Sequence, residues 1–174
     1  MKRLLKTRWL VLFIIALLPL QQCGVKYSFQ GGSIPEGMKS FTVHFFENIS
    51  PIVNPTLSNV FTEDFKQYVR SMTGLNQVEN NGDGVFEGTI TNYAISSDAV
   101  LGGTDRAALN RLTITIKVKY TNKIKPADNF EQSFTQSKQM DASAQSIQAQ
   151  ENKIAKDITE LIIVEIYQRA FANW

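Results

Sequence analysis

The stretch "LTITIKVKY", residues Leu112–Tyr120, alternates apolar and polar side chains without exception over nine positions. Its even-numbered residues are apolar, and its odd-numbered residues are Thr or Lys. Because successive side chains of a β-strand point to opposite faces of a sheet, this pattern predicts a strand that is buried on one face only. The sheet that contains it should therefore have one covered and one open face.

Shorter stretches on both sides of this strand also alternate and predict further strands. After a turn at residues 125–129, Phe130 and Phe134 flank Gln132 and predict the second arm of a hairpin. Upstream, Phe86, Gly88 and Ile90 share one side of another predicted strand. Two more predicted strands lie near the beginning of the chain, at residues 27–29 and 41–45.

Two segments instead carry apolar residues at spacings of three and four, which is typical of helices. The first begins after "NPT", residues 54–56, and ends at Gly74. The second runs from about Ser146 to Trp174, and its apolar face is wider than one packing surface needs. Either that helix is buried on two sides or a partner covers it. The sequence thus predicts an α+β, two-layer sandwich, with two helices packed on one face of a roughly four-stranded mixed sheet.

Residues 1–22 differ from the rest of the chain. Lys2, Arg3, Lys6 and Arg8 form a basic head without acids, and an apolar run follows over residues 9–20. This layout is typical of a signal peptide, and the run is short for a permanent membrane anchor, which is the alternative. Removing residues 1–22 leaves 14 basic and 16 acidic residues, a formal charge of −2. We therefore expect no nucleic-acid partner.

Cys23, the one cysteine of the chain, follows directly after this segment. "LQQCG", residues 20–24, resembles the box at which bacterial lipoprotein signals are cleaved, although Gln22 stands where a small residue is usual. A thiolate at the membrane surface can accept a diacylglycerol, and buried acyl chains such as palmitate then hold a domain at the bilayer. The alternatives are an unpaired thiol and an intermolecular disulfide. We predict a signal peptide at residues 1–22 and a single lipid-anchored domain at residues 23–174.

The sequence offers little for a catalytic or metal site. His44 is the one histidine and has no second His, no Cys pair and no Ser-centred motif beside it in the pattern. The acidic turn "ENNGDG", residues 79–84, lacks the ligand spacing of a calcium loop. We therefore expect no enzyme activity, no metal and no cofactor.

Between Arg106 and Lys125 the chain has six cations and no acid. Arg111, Lys117 and Lys119 are odd-numbered and therefore share the face opposite the apolar side of the strand. Such a face can bind an anionic headgroup, because ammonium and guanidinium groups donate hydrogen bonds to phosphate. The alternative is that Thr and Lys simply solvate a half-buried strand and prevent edge pairing.

Four stretches resemble the LptE family of lipopolysaccharide-assembly lipoproteins. They are "CGVKYSF" (23–29), "NPTL" (54–57), "AALNRLTI" (107–114) and the ending "ANW" (172–174). The resemblance extends over essentially all of residues 23–174, and it rests on order and pattern rather than on a catalytic signature. It implies an outer-membrane lipoprotein that faces the periplasm and plugs the β-barrel translocon LptD. It also implies help in assembling that barrel and in passing lipopolysaccharide to the outer leaflet.

In that family, basic residues of the sheet and an adjoining loop contact lipopolysaccharide. By region and type, the resemblance points to Arg106, Arg111, Lys117 and Lys119 as candidates here. The alternative function is a periplasm-facing lipoprotein that binds a lipid or glycan without an obligate barrel partner. That alternative would require a concave pocket lined by aromatic side chains.

Overall fold

Two helices lie over one side of a six-stranded sheet in the computed structural model of the protein. The structure describes residues 34–52, 54–98, 109–141 and 147–172. In chain order the elements are β1 (Ser40–Val43), β2 (Glu47–Asn48), α1 (Leu57–Thr73), β3 (Asn76–Gln77), β4 (Gly84–Asp98), β5 (Leu109–Asn122), a 3₁₀ turn (Pro126–Asp128), β6 (Phe130–Asp141) and α2 (Ile147–Phe171). The predicted α+β fold with two layers is confirmed.

The sheet is mixed, with the strand order β3-β1-β4-β5-β6. Strands β4, β5 and β6 form an antiparallel meander, whereas β1 runs parallel to β3 and β4. The short strand β2 follows β1 along the same strand, β4, and pairs in parallel with its residues Thr89 and Ile90. The prediction of roughly four strands missed β2 and β3, which have two residues each and are too short to show a period of two.

The covered face of the sheet is built around β5, as its alternation predicts. Its inward side chains are fully buried; they are Leu112, Ile114, Ile116, Val118 and Tyr120. Strand β6 pairs with β5 without a register shift, so that Ile116 lies opposite Phe134 and Tyr120 lies opposite Phe130. The predicted hairpin is confirmed, with the 3₁₀ turn as its connection.

The residues of strand β4 that face the core do not alternate regularly along its whole length. Phe86 and Ile90 point to the covered face, but the register against β5 shifts between Ile90 and Asn92, and Tyr93 is the next buried side chain. A β-bulge of this kind adds one residue to one strand and exchanges the two sides of the strand beyond it. The inward residues are therefore even-numbered before the bulge and odd-numbered after it.

Helix α1 matches its predicted bounds. It ends where Gly74 adopts a left-handed conformation (φ 68°) and donates its backbone N–H to the carbonyl of Arg70. Its apolar stripe meets Phe46, whose ring packs edge-on against Phe61 and Phe65. The predicted strand at residues 41–45 would place Phe45 on the same side as Phe41 and Val43, and this part of the prediction is wrong. The chain leaves the strand conformation after Val43, so Phe46 turns inward and Phe45 is exposed.

Helix α2 is buried on two sides by its own chain, which is one of the two predicted alternatives. Tyr167 packs edge-on against Tyr68 of α1, and Phe171 lies against Phe86 and Tyr120 of the sheet. Near the start of α2, Tyr93 Oη donates a hydrogen bond to Glu151 at 2.5 Å. Burial, together with this carboxylate, raises the pKa of Tyr93 to about 12. The phenol therefore stays protonated and fixes α2 to β4.

The predictions for the strand at residues 27–29 and for the final residues 173–174 lie outside the described residues. Among the described helices, none is both long enough and apolar enough to cross a bilayer.

Candidate functional site: the open face of the sheet

The sheet face away from the helices is polar, and we refer to it as the open face. It is formed by the odd-numbered residues of β5 together with the outward residues of β4 and β6. The alternation of β5 places Arg111, Lys117 and Lys119 on this face, as predicted, because the even-numbered positions are taken by the core.

At one end of the open face the two lysines are paired with glutamates. Lys117 Nζ lies 2.5 Å from Glu131 Oε1 of β6, and Lys119 Nζ lies 3.2 Å from Glu87 Oε2 of β4. The hydrogen bond and charge of Lys117 hold the pKa of Glu131 below its ordinary value. Both ion pairs are about half exposed, so each lysine can exchange its glutamate for a stronger anion at little cost.

The sequence pattern alone missed these two glutamates. The segment from Arg106 to Lys125 contains no acid, and its charge therefore suggests a continuous basic stripe. Strand pairing brings Glu87 and Glu131 to either side of Lys119, as its direct neighbours in β4 and β6. The open face is therefore less positive than the sequence of β5 indicates.

The paired charges surround a shallow depression of about 210 Å³. It is lined by Glu87, Gly88, Thr89, Lys117, Lys119 and Glu131. Side chains of both signs border it, so it suits a ligand that carries anionic groups next to hydrogen-bonding hydroxyls.

Arg111 lies apart from the two lysines. Arg111 and Lys117 are six positions apart along β5, which corresponds to about 20 Å at roughly 3.4 Å per residue. There Arg111 Nη1 approaches Ser137 Oγ of β6 at 3.4 Å. The structure thus places the three predicted basic residues on one face but does not bring them into one cluster.

Between Arg111 and the lysines the open face carries hydroxyl groups. The Oγ1 atoms of Thr115 and Thr135 lie 3.0 Å apart across β5 and β6, and Thr91 Oγ1 donates to the Thr115 carbonyl at 3.3 Å. This middle section is uncharged, and its groups can both donate and accept hydrogen bonds. The face as a whole is a polar strip with cations toward both ends.

A second concave site lies between the two helices, on the side of the helical layer away from the sheet. This groove of about 390 Å³ has Tyr68, Ile163 and Val164 among its apolar lining, and Asp64, Lys156 and Glu160 among its charged lining. Tyr68 is the aromatic residue of its lining.

Cys23 and Arg106, the other two predicted site residues, lie outside the described residues. Where the chain is described, no group of three or more His, Cys, Asp or Glu side chains could hold a metal ion.

Comparison with solved structures shows that the fold recurs in other bacterial proteins. The hypothetical protein CT253 from Chlamydia trachomatis is 8% identical, with a TM-score of 0.56 over 78% of this chain and 99% of that one. A putative neuraminyllactose-binding hemagglutinin homologue from Helicobacter pylori is 13% identical, with a TM-score of 0.53 over 82% of this chain and 88% of that one. At such low identity the likeness shows the fold alone.

Rare lipoprotein B from Shewanella oneidensis also matches, at 10% identity and a TM-score of 0.46 over 75% of this chain and 90% of that one. No curated protein matches the sequence.

A family model gives the decisive comparison. The model of the LptE family, described as lipopolysaccharide-assembly, matches residues 38–170. The match includes both helices almost completely and all six strands, and it confirms the resemblance seen in the sequence. The chain therefore belongs to the LptE family of lipopolysaccharide-assembly proteins.

Proposed function

We propose that this protein is an outer-membrane lipoprotein that plugs an LptD-like β-barrel, helps that barrel to assemble and assists the passage of lipopolysaccharide to the outer leaflet. The observation that carries the proposal is the family match over residues 38–170. The protein acts by binding and positioning, and it carries out no reaction.

The two-layer fold supports the role of a plug. The interior of a membrane barrel with a polar lumen favours a domain with a polar surface. The helices bury the apolar face of the sheet, and the open face offers hydroxyl groups and exposed ion pairs, such as Lys117–Glu131. A rigid antiparallel meander of three long strands can keep such a surface in one shape.

Lipidation of Cys23 would hold the protein at the periplasmic side of the outer membrane. Ten residues separate Cys23 from Ile34, the first described residue, and a chain of that length reaches at most about 40 Å when fully extended. The domain would therefore work close to the membrane surface, where its barrel partner lies.

The basic residues of the open face are the proposed contacts for lipopolysaccharide. Lys117 and Lys119 can exchange Glu131 and Glu87 for phosphate groups, and the hydroxyl groups beyond them can bind sugar. Arg111 and Arg106 would extend this contact further along the same strand and into the segment before it.

Affinity purification of the full chain from outer membranes in mild detergent tests the plug, with mass spectrometry of the partner and of the N-terminal peptide. We expect a large β-barrel protein in a stable complex and an acylated Cys23 at the N-terminus. Recovery of the protein by itself, without a barrel, would contradict the plug. An unmodified Cys23 would contradict the anchor independently.

Charge reversal tests the lipid contact. We expect the triple variant Arg111→Glu, Lys117→Glu, Lys119→Glu to bind immobilised lipopolysaccharide at least about tenfold more weakly, which corresponds to about 1.4 kcal/mol. The triple variant Arg70→Glu, Lys153→Glu, Lys156→Glu is the matched control, because it makes the same change of net charge at exposed residues of the helical layer. Circular dichroism should show an unchanged fold. Equal binding by the triple variant and the control would exclude the open face as the contact.

The alternative function, a lipoprotein that binds a lipid or glycan without a barrel, depends on a pocket with aromatic walls. The groove between α1 and α2 has Tyr68 as its aromatic residue. The purification described above separates the two functions, because only the plug requires a barrel to accompany the protein.

A further inference from the structure

Strand β6 forms one edge of the sheet and is long and regular. It extends over 12 residues, Phe130–Asp141, and pairs with β5 from end to end without a bulge. Among the described residues, no strand pairs with its other side. Edge strands of natural proteins are usually short, bulged or interrupted by proline, because an open edge can pair with another chain. Strand β6 has none of these three features, and its charged residues Glu131 and Lys138 are paired with Lys117 and Asp157 of their own chain.

The direction of the backbone groups of β6 follows from two hydrogen bonds of β5. Lys123 donates its backbone N–H to the carbonyl of Asp83 beside β4, and Asn122 donates its backbone N–H to the side chain of Asn129 on the other side. Backbone groups alternate in direction along a strand, so even-numbered residues of β5 bond toward β6. In β5 and β6 an even-numbered residue always lies directly opposite an even-numbered residue, as Tyr120 lies opposite Phe130. The even-numbered residues of β6 therefore form the backbone hydrogen bonds to β5. Odd-numbered residues of β6, such as Ser133 and Thr135, therefore point their backbone groups outward.

An exposed leucine lies on the flank of α2 beside this edge. Asp157 of α2 is paired with Lys138 of β6, and Glu165, two turns later, accepts a hydrogen bond from Gln136. Leu161 lies midway between these two contacts on the same side of the helix. Its side chain is 52% exposed, although sequence periodicity places it on the apolar face.

We propose that β6 and the flank of α2 form the interface of a symmetric homodimer. Two copies pair their β6 strands in antiparallel orientation about a two-fold axis, which joins the two sheets edge to edge. Both copies of α2 then lie on the same side of the joined sheet, and the two Leu161 side chains meet near the axis. The pairing would satisfy backbone groups at the edge, and the leucine contact would exclude water above it.

Charge and overlap select one register for this pairing. Outward backbone groups belong to odd-numbered residues, so odd-numbered residues face each other across the axis. Two registers give the largest overlap of the strands, one centred on Thr135 and one centred on Gln136. The second brings the apolar Phe134 opposite the charged Lys138, whereas the first brings Lys138 opposite Gln132 and Phe130 opposite Met140. The interface is therefore centred on Thr135.

The dimer does not depend on the proposed barrel partner. It describes the protein apart from that partner, when a long open edge would otherwise be available to any extended chain. The charged residues beside Leu161 do not oppose the contact, because Asp157 and Glu165 are turned toward Lys138 and Gln136 of their own chain.

The full chain, produced without its barrel partner and purified in mild detergent, tests this proposal through its mass in sedimentation equilibrium, with the bound detergent accounted for. We expect the mass of two chains. Leu161→Lys brings two like charges together at the axis and should raise the dissociation constant more than about tenfold. Val60→Lys is the matched control: Val60 is a 41% exposed apolar residue of α1, on the other helix, and its substitution should leave the dimer intact.

Ser133→Pro tests the strand pairing itself. Proline removes an outward N–H from the edge without removing a bond to β5, so the dimer should weaken while circular dichroism stays unchanged. Ser133→Ala keeps the N–H and should behave as the wild type. A monomeric wild-type chain, or equal masses for all four variants, would overturn the proposal.

Disulfide cross-linking tests the register. In a full chain carrying Cys23→Ser, Thr135→Cys should form a covalent dimer on oxidation, because opposed residues in such pairs lie about 5.5 Å apart between Cα atoms. Glu131→Cys is the control, since its two copies would lie eight residues apart, about 27 Å. Cross-linking of Glu131→Cys with none of Thr135→Cys would overturn the proposed register.

Discussion

At the scale of single residues, Gly88 decides how closely the first part of the chain packs on the sheet. A Cβ atom at this position would lie 2.2 Å from the carbonyl oxygen of Lys117 and 2.5 Å from the ring of Phe46. The missing side chain thus leaves room for the Phe46 ring against β4 and for the close approach of the Lys117 carbonyl. The sequence marks Gly88 only as an inward position of a strand, because the ring that it accommodates comes from another element.

Substitution of Gly88 tests this packing. We expect Gly88→Ala to lower the free energy of unfolding by about 1–3 kcal/mol, the usual cost of overpacking a core, as measured by urea denaturation. Gly84→Ala is the control in the same strand. A Cβ there would lie 3.3 Å from the Tyr120 side chain, so the loss should be smaller. Equal losses for the two variants would show that both the Lys117 carbonyl and the Phe46 ring can move aside.

At the scale of elements, the start of β1 is joined to the start of β4 by one carboxylate. Asp83 Oδ2 accepts hydrogen bonds from the backbone N–H groups of Lys39 and Ser40, at 2.8 and 2.9 Å, and from Ser40 Oγ at 2.9 Å. These bonds, first of all that of the Lys39 backbone, hold the pKa of Asp83 below the ordinary 3.8. Asp83 thereby connects two strands that are more than 40 residues apart in sequence.

The lowered pKa gives this connection a pH dependence. Because the folded pKa is below the unfolded one, the stabilisation is complete well above pH 3.8 and is lost as the pH falls through the folded value. We expect Asp83→Asn to reduce stability at pH 7 and to lose less stability than the wild type on acidification below pH 3.8. Thermal unfolding measured across this range checks it. Ser40→Ala keeps the carboxylate and its backbone bonds, so it should retain most of the acid dependence.

Other elements differ in how far local pattern predicts them. The alternation of β5 and the helical spacing of α1 give correct burial and, for α1, correct bounds, because each is a repeating pattern within one segment. The bulge after Ile90 and the break after Val43 shift the phase by one residue, and no local signal marks either shift. Such shifts depend on contacts with other elements, here the pairing of β4 with β5 and the packing of Phe46 against α1.

At the scale of the whole molecule, the open face combines charges from three strands. Lys117 and Lys119 belong to β5, but their partners Glu131 and Glu87 come from β6 and β4. The two glutamates compete with any anionic ligand for the lysines. They therefore set the affinity of this face without being expected contacts themselves.

Removal of the two glutamates should strengthen the proposed lipid contact. We expect Glu87→Gln combined with Glu131→Gln to bind immobilised lipopolysaccharide several-fold more tightly, and the gain should shrink at high salt because the exposed charges are screened. Glu63→Gln is the control, since it frees Lys66 of α1 from a similar ion pair on the other layer. Unchanged affinity of the double variant would mean that Lys117 and Lys119 do not contact the ligand.

The sequence by itself determined the one-sided burial of β5, the hairpin that follows it, the extent of α1 and the family resemblance. Each of these rests on side chains that lie near one another along the chain, where a period of two or of 3.6 residues is visible. Only the tertiary structure decided that β1 lies between β3 and β4, that two glutamates pair with the lysines, and that Leu161 lies exposed beside the edge of β6. These features depend on segments far apart in sequence, whose order, register and contacts arise only when the two layers pack together.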